Sequence, residues 1–137
     1  MSDGPKRIAP QITPENEFFW TAGADGVLRF KRCADCAHYI HPPAPYCAEC
    51  LSKNIEIVGV SGRAVIGGFT INHQQWLPDF PPPYVIAIVE IEEAPYVRLT
   101  TNIVGCDPAD VRIGMPVEVV FEPCEDTYLP LFQPVKT

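Results

Sequence analysis

The sequence predicts a mainly β protein, in which an N-terminal helix and a four-cysteine metal-binding ribbon precede a barrel of about five strands. Two Cys-x-x-Cys pairs separated by ten residues indicate the ribbon. Short segments of alternating apolar and polar residues after the second pair indicate the strands. The 16 prolines and 9 glycines among 137 residues favour short strands and many turns over long helices.

The two cysteine pairs have the spacing of a tetrahedral zinc site. A Cys-x-x-Cys turn directs two thiolates to one point, and two such turns supply the four ligands of a zinc ribbon. The predicted ligands are Cys33, Cys36, Cys47 and Cys50. The segment between the pairs contains Pro42, Pro43 and Pro45, so we expect an extended loop there. Because four thiolates close the coordination shell, the metal is expected to be structural.

Other interpretations of the cysteines stay open from the sequence. Iron uses the same four ligands in rubredoxin-like sites, and the pattern does not distinguish it from zinc. Disulfides would need an oxidising compartment, and no secretory signal is recognised before the pairs. His38 and His41 lie in the loop and could replace a cysteine, but we interpret both as surface residues. Cys106 and Cys124 are interpreted as small buried or half-buried residues.

A short helix is predicted to follow an extended N-terminal arm. Thr13 suits the N-cap and Pro14 suits the first helical position, and the helix is expected to end near Ala22. The helix carries three successive aromatic residues: Phe18, Phe19 and Trp20. Adjacent helical residues point in different directions, so these rings spread over about 200° of the helix surface. They either fold back onto the zinc loop or bind a partner, and the sequence leaves both alternatives open.

Hydrophobic periodicity predicts the remaining elements as strands. The predicted strands are residues 26–32, 55–60, 63–73, 84–91, 96–104, 117–121 and 128–132. Gly67-Gly68 predicts a bulge or bend. The nearly continuous apolar run in 84–91 predicts a strand covered on both faces. Pro130 lacks a backbone donor, so 128–132 is predicted to be an edge strand.

About five main strands with one internal bend fit an OB-fold barrel. The predicted organisation is therefore an N-terminal arm, helix and zinc ribbon over residues 1–54, followed by the OB-fold barrel over residues 55–137.

The charge and hydropathy of the chain restrict its partners. A net charge of -7 and a pI near 4.8 argue against binding DNA or RNA through the overall field. No apolar run approaches the roughly 18 residues of a membrane span, so no membrane association is expected. Since no signal peptide is recognised, a cytoplasmic location is expected.

The sequence contains no recognisable catalytic constellation. We find no nucleophile elbow, no Gly-rich phosphate loop before a helix and no carboxylate dyad. His73 is a lone histidine at a strand end, and we interpret it as a surface residue. The absence of such a constellation favours a binding or assembly module.

The order of the motifs resembles a known family. In chain order, the motifs are the aromatic residues 18–20, Gly26-Val27-Leu28, the first cysteine pair, Pro42-Pro43-x-Pro45, the second cysteine pair, Ser61-Gly62-Arg63, residues 83–87 and residues 113–117. Across residues 14–133, the chain resembles the acyl-CoA-associated OB-fold family with an N-terminal rubredoxin-like zinc ribbon, once called domain of unknown function thirty-five.

The resemblance implies an accessory role beside thiolase-like enzymes. Archaeal members bridge a thiolase and a hydroxymethylglutaryl-CoA synthase. Actinobacterial members support a retro-aldolase of steroid side-chain degradation or, fused to a hot-dog domain, an acyl-CoA hydratase. The family's zinc ligands fall on the four cysteines of the two pairs, and no catalytic residue carries over. By analogy with thiolase dimers, a two-plus-two hetero-oligomer with acyl-CoA near the interface is expected.

The leading hypothesis is therefore a non-catalytic subunit that binds and supports a thiolase-like acyl-CoA enzyme, such as the retro-aldolase of steroid side-chain degradation. The candidate partner-binding residues are Phe18, Phe19 and Trp20. The candidate residues near acyl-CoA are Arg63, His73 and Trp76. The alternative is a zinc-ribbon OB protein that binds single-stranded nucleic acid. A small enzyme acting alone is a third hypothesis.

Overall fold

The computed structural model describes residues 7–78 and 80–135, so the first six residues of the predicted arm lie outside the described part. One α-helix, α1, spans Glu17–Trp20, and 3₁₀ helices span Ala22–Ala24 and Pro108–Asp110. The strands are β1 Arg29–Cys33, β2 Tyr39–Ile40, β3 Ile55–Gly59, β4 Arg63–Asn72, β5 Tyr84–Ile91, β6 Ala94–Ile103, β7 Pro116–Cys124 and β8 Thr127–Pro134.

The strands form two sheets. β2, β1 and β3 make a three-stranded ribbon sheet, and the other strands close a five-stranded barrel in the order β4-β5-β6-β8-β7. The predicted mainly β fold, with a short helix and a cysteine ribbon before an OB-fold barrel, is confirmed. β3 pairs with β1 along its whole length, so it belongs to the ribbon sheet by hydrogen bonding. The domain boundary after residue 54 stays a prediction.

Helix α1 is shorter than predicted because Asn16 forms a turn with Thr13. The Thr13 N–H donates to Asn16 Oδ1 at 2.7 Å, and the Glu17 N–H donates to the Thr13 carbonyl at 3.0 Å. Asn16 occupies the N-cap position, so the prediction of Thr13 as N-cap is wrong. The chain then tightens into the 3₁₀ helix after Trp20.

The prediction that strand β5 is covered on both faces is wrong. Its residues alternate, with Val85 and Val89 buried, whereas Ile86 and Ile88 are 37% and 44% exposed. A closed barrel buries only the inward side of each strand, and β-branched residues also suit the outward side. The register shift between Ile66 and Gly68 confirms the predicted bulge in β4.

The prediction that β8 is an edge strand is wrong, because β8 pairs with a strand on each side. It pairs with β7 from Thr127 to Pro134 and closes the barrel through one parallel pair with β6, Ile103 with Phe132. Pro130 lies inside β8, where it pairs with Phe121 of β7. Proline is tolerated here because the backbone of Pro130 faces β6, so the pairing with β7 does not need the N–H that proline lacks.

One hydrophobic core joins the helix, the ribbon and the barrel. Phe19 of α1 and Phe30 of β1 are buried in the same cluster as Val117 and Phe132 of the barrel. The Phe19 and Phe30 rings lie 5.9 Å apart. The ribbon therefore folds against the barrel through β1, and a change at this junction should affect both parts.

Gly23 is expected to be intolerant of a side chain. A Cβ there would overlap Tyr128 and lie 2.9 Å from Cδ1 of Phe121. We expect Gly23→Ala to lower the free energy of unfolding by about 1–3 kcal/mol in urea titrations, because the core must shift. A Cβ at Gly68 meets nothing within 4 Å, so Gly68→Ala is the matched control. Equal effects of the two substitutions would contradict this assignment.

Candidate metal centre and adjoining cleft

The two cysteine pairs form matching backbone turns. The Ala37 N–H donates to the Cys33 carbonyl, and the Leu51 N–H donates to the Cys47 carbonyl, both at 2.8 Å. Ala37 and Leu51 have positive φ values of 66° and 62°, which turn the chain back after each pair. The repeated geometry presents each pair of sulfurs to a common point.

The four sulfurs fit a tetrahedral metal. Their Sγ atoms all lie within 4.8 Å of one another. The Sγ of Cys33 lies 3.5 Å from that of Cys50, and the Sγ of Cys36 lies 3.6 Å from that of Cys47. A zinc ion with bonds of about 2.3 Å to sulfur places its ligands about 3.8 Å apart. This donor set therefore matches zinc in a closed structural site.

The cysteine thiols do not ionise equally. Backbone N–H groups, chiefly that of Cys36, lower the pKa of Cys33 to about 7. The His38 N–H favours ionisation of Cys36, but burial and the neighbouring sulfurs outweigh it and raise the pKa of Cys36 to about 12. Adjacent thiolates repel one another, so a cation is needed before all four sulfurs can lose their protons.

Polar side chains hold the two turns together. Ser52 Oγ and Asn54 Nδ2 of the second turn donate to the carboxylate of Asp35 in the first turn. These bonds, chiefly that from Ser52, lower the pKa of Asp35. The Ala34 N–H also donates to the Asn54 carbonyl at 2.9 Å. The turns are thus linked independently of the sulfurs.

The structure separates the three aromatic residues of α1. Phe19 is buried in the core, whereas Phe18 and Trp20 are half-buried. The Trp20 ring meets Phe19 edge-on at 4.9 Å, and Lys31 Nζ lies 5.9 Å from the Phe18 ring centre. Phe19 thus contacts the core, and only Phe18 and Trp20 keep surface for a partner. Partner binding by this helix stays a prediction.

The residues predicted to lie near acyl-CoA do not form one site. Arg63 begins β4, while His73 and Trp76 follow its other end, at the far side of a strand about 30 Å long. Arg63 Nε pairs with Glu92 Oε2 at 3.1 Å. Trp76 is exposed, and its Nε1 donates to Asn72 Oδ1 at 3.0 Å. Their proximity to acyl-CoA stays a prediction.

A cleft that sequence reasoning missed lies beside the loop that joins the two cysteine pairs. It has a volume of about 550 Å³ and opens between α1, the loop after β2 and strands β6 and β8. Its walls include Trp20, His41, Pro42, Leu129 and Leu131. No local pattern indicated the cleft, because segments far apart in the sequence form its walls.

The loop histidines contact aromatic rings rather than lying free on the surface. His41 is half-buried, with its ring centre 5.4 Å from that of Phe19 and 5.2 Å from that of Phe30. His38 stacks on Tyr96 of β6 at 4.8 Å, and the Tyr39 N–H donates to the Tyr96 hydroxyl. These contacts hold the ribbon loop against the barrel.

The environment of His41 predicts a pH-dependent stability. Burial lowers the pKa of His41, so the unfolded chain binds a proton there more readily than the folded chain. The free energy of unfolding should therefore fall as the pH decreases below about 6.5. We expect His41→Gln to reduce this loss in melting curves from pH 7.5 to 5.5. His73→Gln, at an exposed histidine, is the control. Unchanged pH dependence in His41→Gln would contradict the interpretation.

Comparisons with known proteins agree with the fold. Residues 20–56 match the family model described as "ChsH2, rubredoxin-like zinc ribbon domain", and residues 58–122 match "ChsH2, C-terminal OB-fold domain". A solved structure described as "Ltp2-ChsH2(DUF35) aldolase" is 35% identical, with a TM-score of 0.83, and the match covers 92% of this chain and 98% of that one. The chain belongs to the DUF35 family.

Two curated relatives of this DUF35 chain are subunits of larger size. The "Probable enoyl-CoA hydratase alpha subunit" of Thermomonospora curvata is 36% identical over 129 residues, or 93% of this chain. The "3-oxo-4,17-pregnadiene-20-carboxyl-CoA hydratase alpha subunit" of Mycobacterium tuberculosis is 35% identical over 127 residues, also 93% of this chain. The chain spans 40% of the length of each of these relatives.

Among residues 7–78 and 80–135, no helix combines the length and the apolar character that a membrane crossing requires.

Proposed function

We propose that this DUF35 chain is a non-catalytic subunit that binds and supports a thiolase-like acyl-CoA enzyme. The observation that carries the proposal is the match to the Ltp2-ChsH2(DUF35) aldolase over nearly the whole of both chains. That protein is described as an aldolase formed with Ltp2. From that name together with the family resemblance, the partner proposed here is a thiolase-like retro-aldolase of steroid side-chain degradation, acting in the cytoplasm.

The chemistry of the described residues supports a role without catalysis by this chain alone. Burial, followed by nearby carboxylates, raises the pKa of Cys106 and of Cys124, which makes both poor nucleophiles at neutral pH. The cluster of four cysteines supplies a full set of metal ligands and keeps no open position for a substrate. The metal is proposed to be zinc with a structural role.

The partner is proposed to contact the half-buried aromatic residues of α1. Phe18 and Trp20 lie at the surface beside the ribbon, where aromatic side chains are typical of interfaces. The complex is proposed to be a two-plus-two hetero-oligomer with the acyl-CoA near the interface. The net charge of -7 disfavours nucleic acid as a partner.

The experiment is a pull-down of the tagged chain from its native cell extract, with identification of bound proteins by mass spectrometry. We expect a thiolase-like protein to be recovered, and recovery to fall at least about ten-fold with the double variant Phe18→Ala/Trp20→Ala, because the contact area is lost. Ile113→Ala is the matched control, since Ile113 is exposed on the loop before β7, outside α1 and the ribbon.

Recovery of nucleic acid without any thiolase-like enzyme would contradict the proposed function. Recovery of the enzyme by both forms would keep the function and remove α1 from the interface.

A further inference from the structure

Strand β6 is hydrogen-bonded much more extensively along one edge than along the other. It pairs with β5 continuously from Arg98 to Ile103 and again at Ala94, after a register shift. On the other side it pairs with β8 at a single position, Ile103 with Phe132. The barrel is therefore closed at one end of this seam and open along the rest.

The open part of the seam exposes backbone groups of β6. The Val104 N–H donates to the Phe132 carbonyl at 2.8 Å, so the backbone of Val104 faces β8. Alternate residues of a strand direct their N–H and C=O groups to the same edge, which places those of Asn102, Thr100 and Arg98 towards the seam. Within residues 7–78 and 80–135, no backbone pairing satisfies Thr100 or Arg98 on this side.

Pro130 explains why β8 does not close the seam. It lies two residues before Phe132 and so faces β6, where continued parallel pairing would need a donor. Proline has no N–H, and the Pro130 carbonyl already accepts a bond from Thr101 Oγ1 at 2.9 Å. The unpaired edge of β6 is thus built into the sequence of β8.

The cleft described above lies over this open edge. Residues 98–102 of β6 and 129–131 of β8 form its floor, and Trp20, His41 and Pro42 form its walls. Its volume of about 550 Å³ is much larger than the space that one water molecule needs. An extended chain lying along β6 would have hydrogen-bond partners on one side and a mainly apolar cavity for a side chain on the other. Arg7 is a charged residue of the cavity lining, and its Nε donates to Asn102 Oδ1 at 3.3 Å.

We propose that the open edge of β6, at Arg98 and Thr100, takes up an extended apolar segment of the partner subunit as an added strand. The inference rests on the proposed function, because it assigns a docking mode to the same partner. The free N–H and C=O groups along this edge of β6 can hydrogen-bond to the backbone of another extended chain. In strands added to a sheet edge in this way, the main-chain hydrogen bonds supply the affinity.

The test compares two substitutions at one position. Thr100→Pro removes the N–H that faces the seam and blocks the edge, without removing a bond to β5. Thr100→Val changes the exposed side chain and keeps the N–H. With the purified thiolase-like subunit in titration calorimetry, we expect the proline variant to bind at least about ten-fold more weakly and the valine variant to bind within about two-fold of the original chain.

Hydrogen exchange of the unmodified chain decides the question if the proline variant does not fold. We expect the amides of Arg98 and Thr100 to exchange fast in the free chain and to become protected by the thiolase-like subunit. Equal binding by both variants, or no protection in a formed complex, would overturn the inference and leave the proposed function standing. Protection by an acyl-CoA without the subunit would also overturn it. Failure of the original chain to bind the subunit would overturn the proposed function as well.

Discussion

Substituting alanine for Cys47 is expected to abolish metal binding and unfold the ribbon. Cys47 is fully buried, and its sulfur lies 3.6 Å from that of Cys36 in the cluster. Structural zinc contributes on the order of 10 kcal/mol to the folding of small metal-binding modules. We expect metal content to fall from about one ion per chain to below about a tenth, and Tm to fall by about 10 °C or more.

Elemental analysis and thermal unfolding measure these effects, and Cys106→Ala is the matched control. Cys106 is outside the cluster and half-buried, so its substitution should leave the metal content unchanged. Full metal content in Cys47→Ala would show that the ion is held elsewhere.

Substituting alanine for Phe30 is expected to destabilise the ribbon and the barrel together. Phe30 is fully buried, and its ring packs against both Phe19 of α1 and His41 of the loop. Removing a buried phenylalanine ring costs about 3–5 kcal/mol, because the cavity is only partly refilled. Urea unfolding followed by tryptophan fluorescence should show one transition, shifted to a lower midpoint.

Ile57→Ala is the control for this substitution, since Ile57 lies on the neighbouring strand β3 with half of its surface exposed. Its effect should stay within about 0.5 kcal/mol. A loss below about 1 kcal/mol for Phe30→Ala, or separate transitions for the two parts, would mean that ribbon and barrel do not share a core.

The metal ligands could be predicted because their signal is local. A Cys-x-x-Cys turn fixes both sulfurs within four residues, and two such turns need only one long-range contact to complete the site. The bulge at Gly67-Gly68 was predictable for the same reason, since glycine marks positions where a strand bends.

The remaining features depend on contacts between distant segments. In a helix of four residues, periodicity does not distinguish Phe19, which enters the core, from Trp20, which stays half-buried. The outward-facing isoleucines of β5 are as apolar as its buried residues. The run of apolar residues therefore suggested a second covered face, although that face is exposed. The pairing of β8 with β6 joins Ile103 with Phe132, and the cleft brings Trp20 close to Leu131, so both features lie beyond any local pattern.

The most direct test of the account is an activity assay of three samples: this chain alone, the purified thiolase-like subunit alone, and the two together. With a panel of acyl-CoA thioesters as substrates, we expect no turnover by this chain alone. The mixture should be at least about ten-fold more active than the thiolase-like subunit alone, because a supporting subunit acts through its partner. Turnover by this chain alone, at the rate of the mixture, would contradict the account.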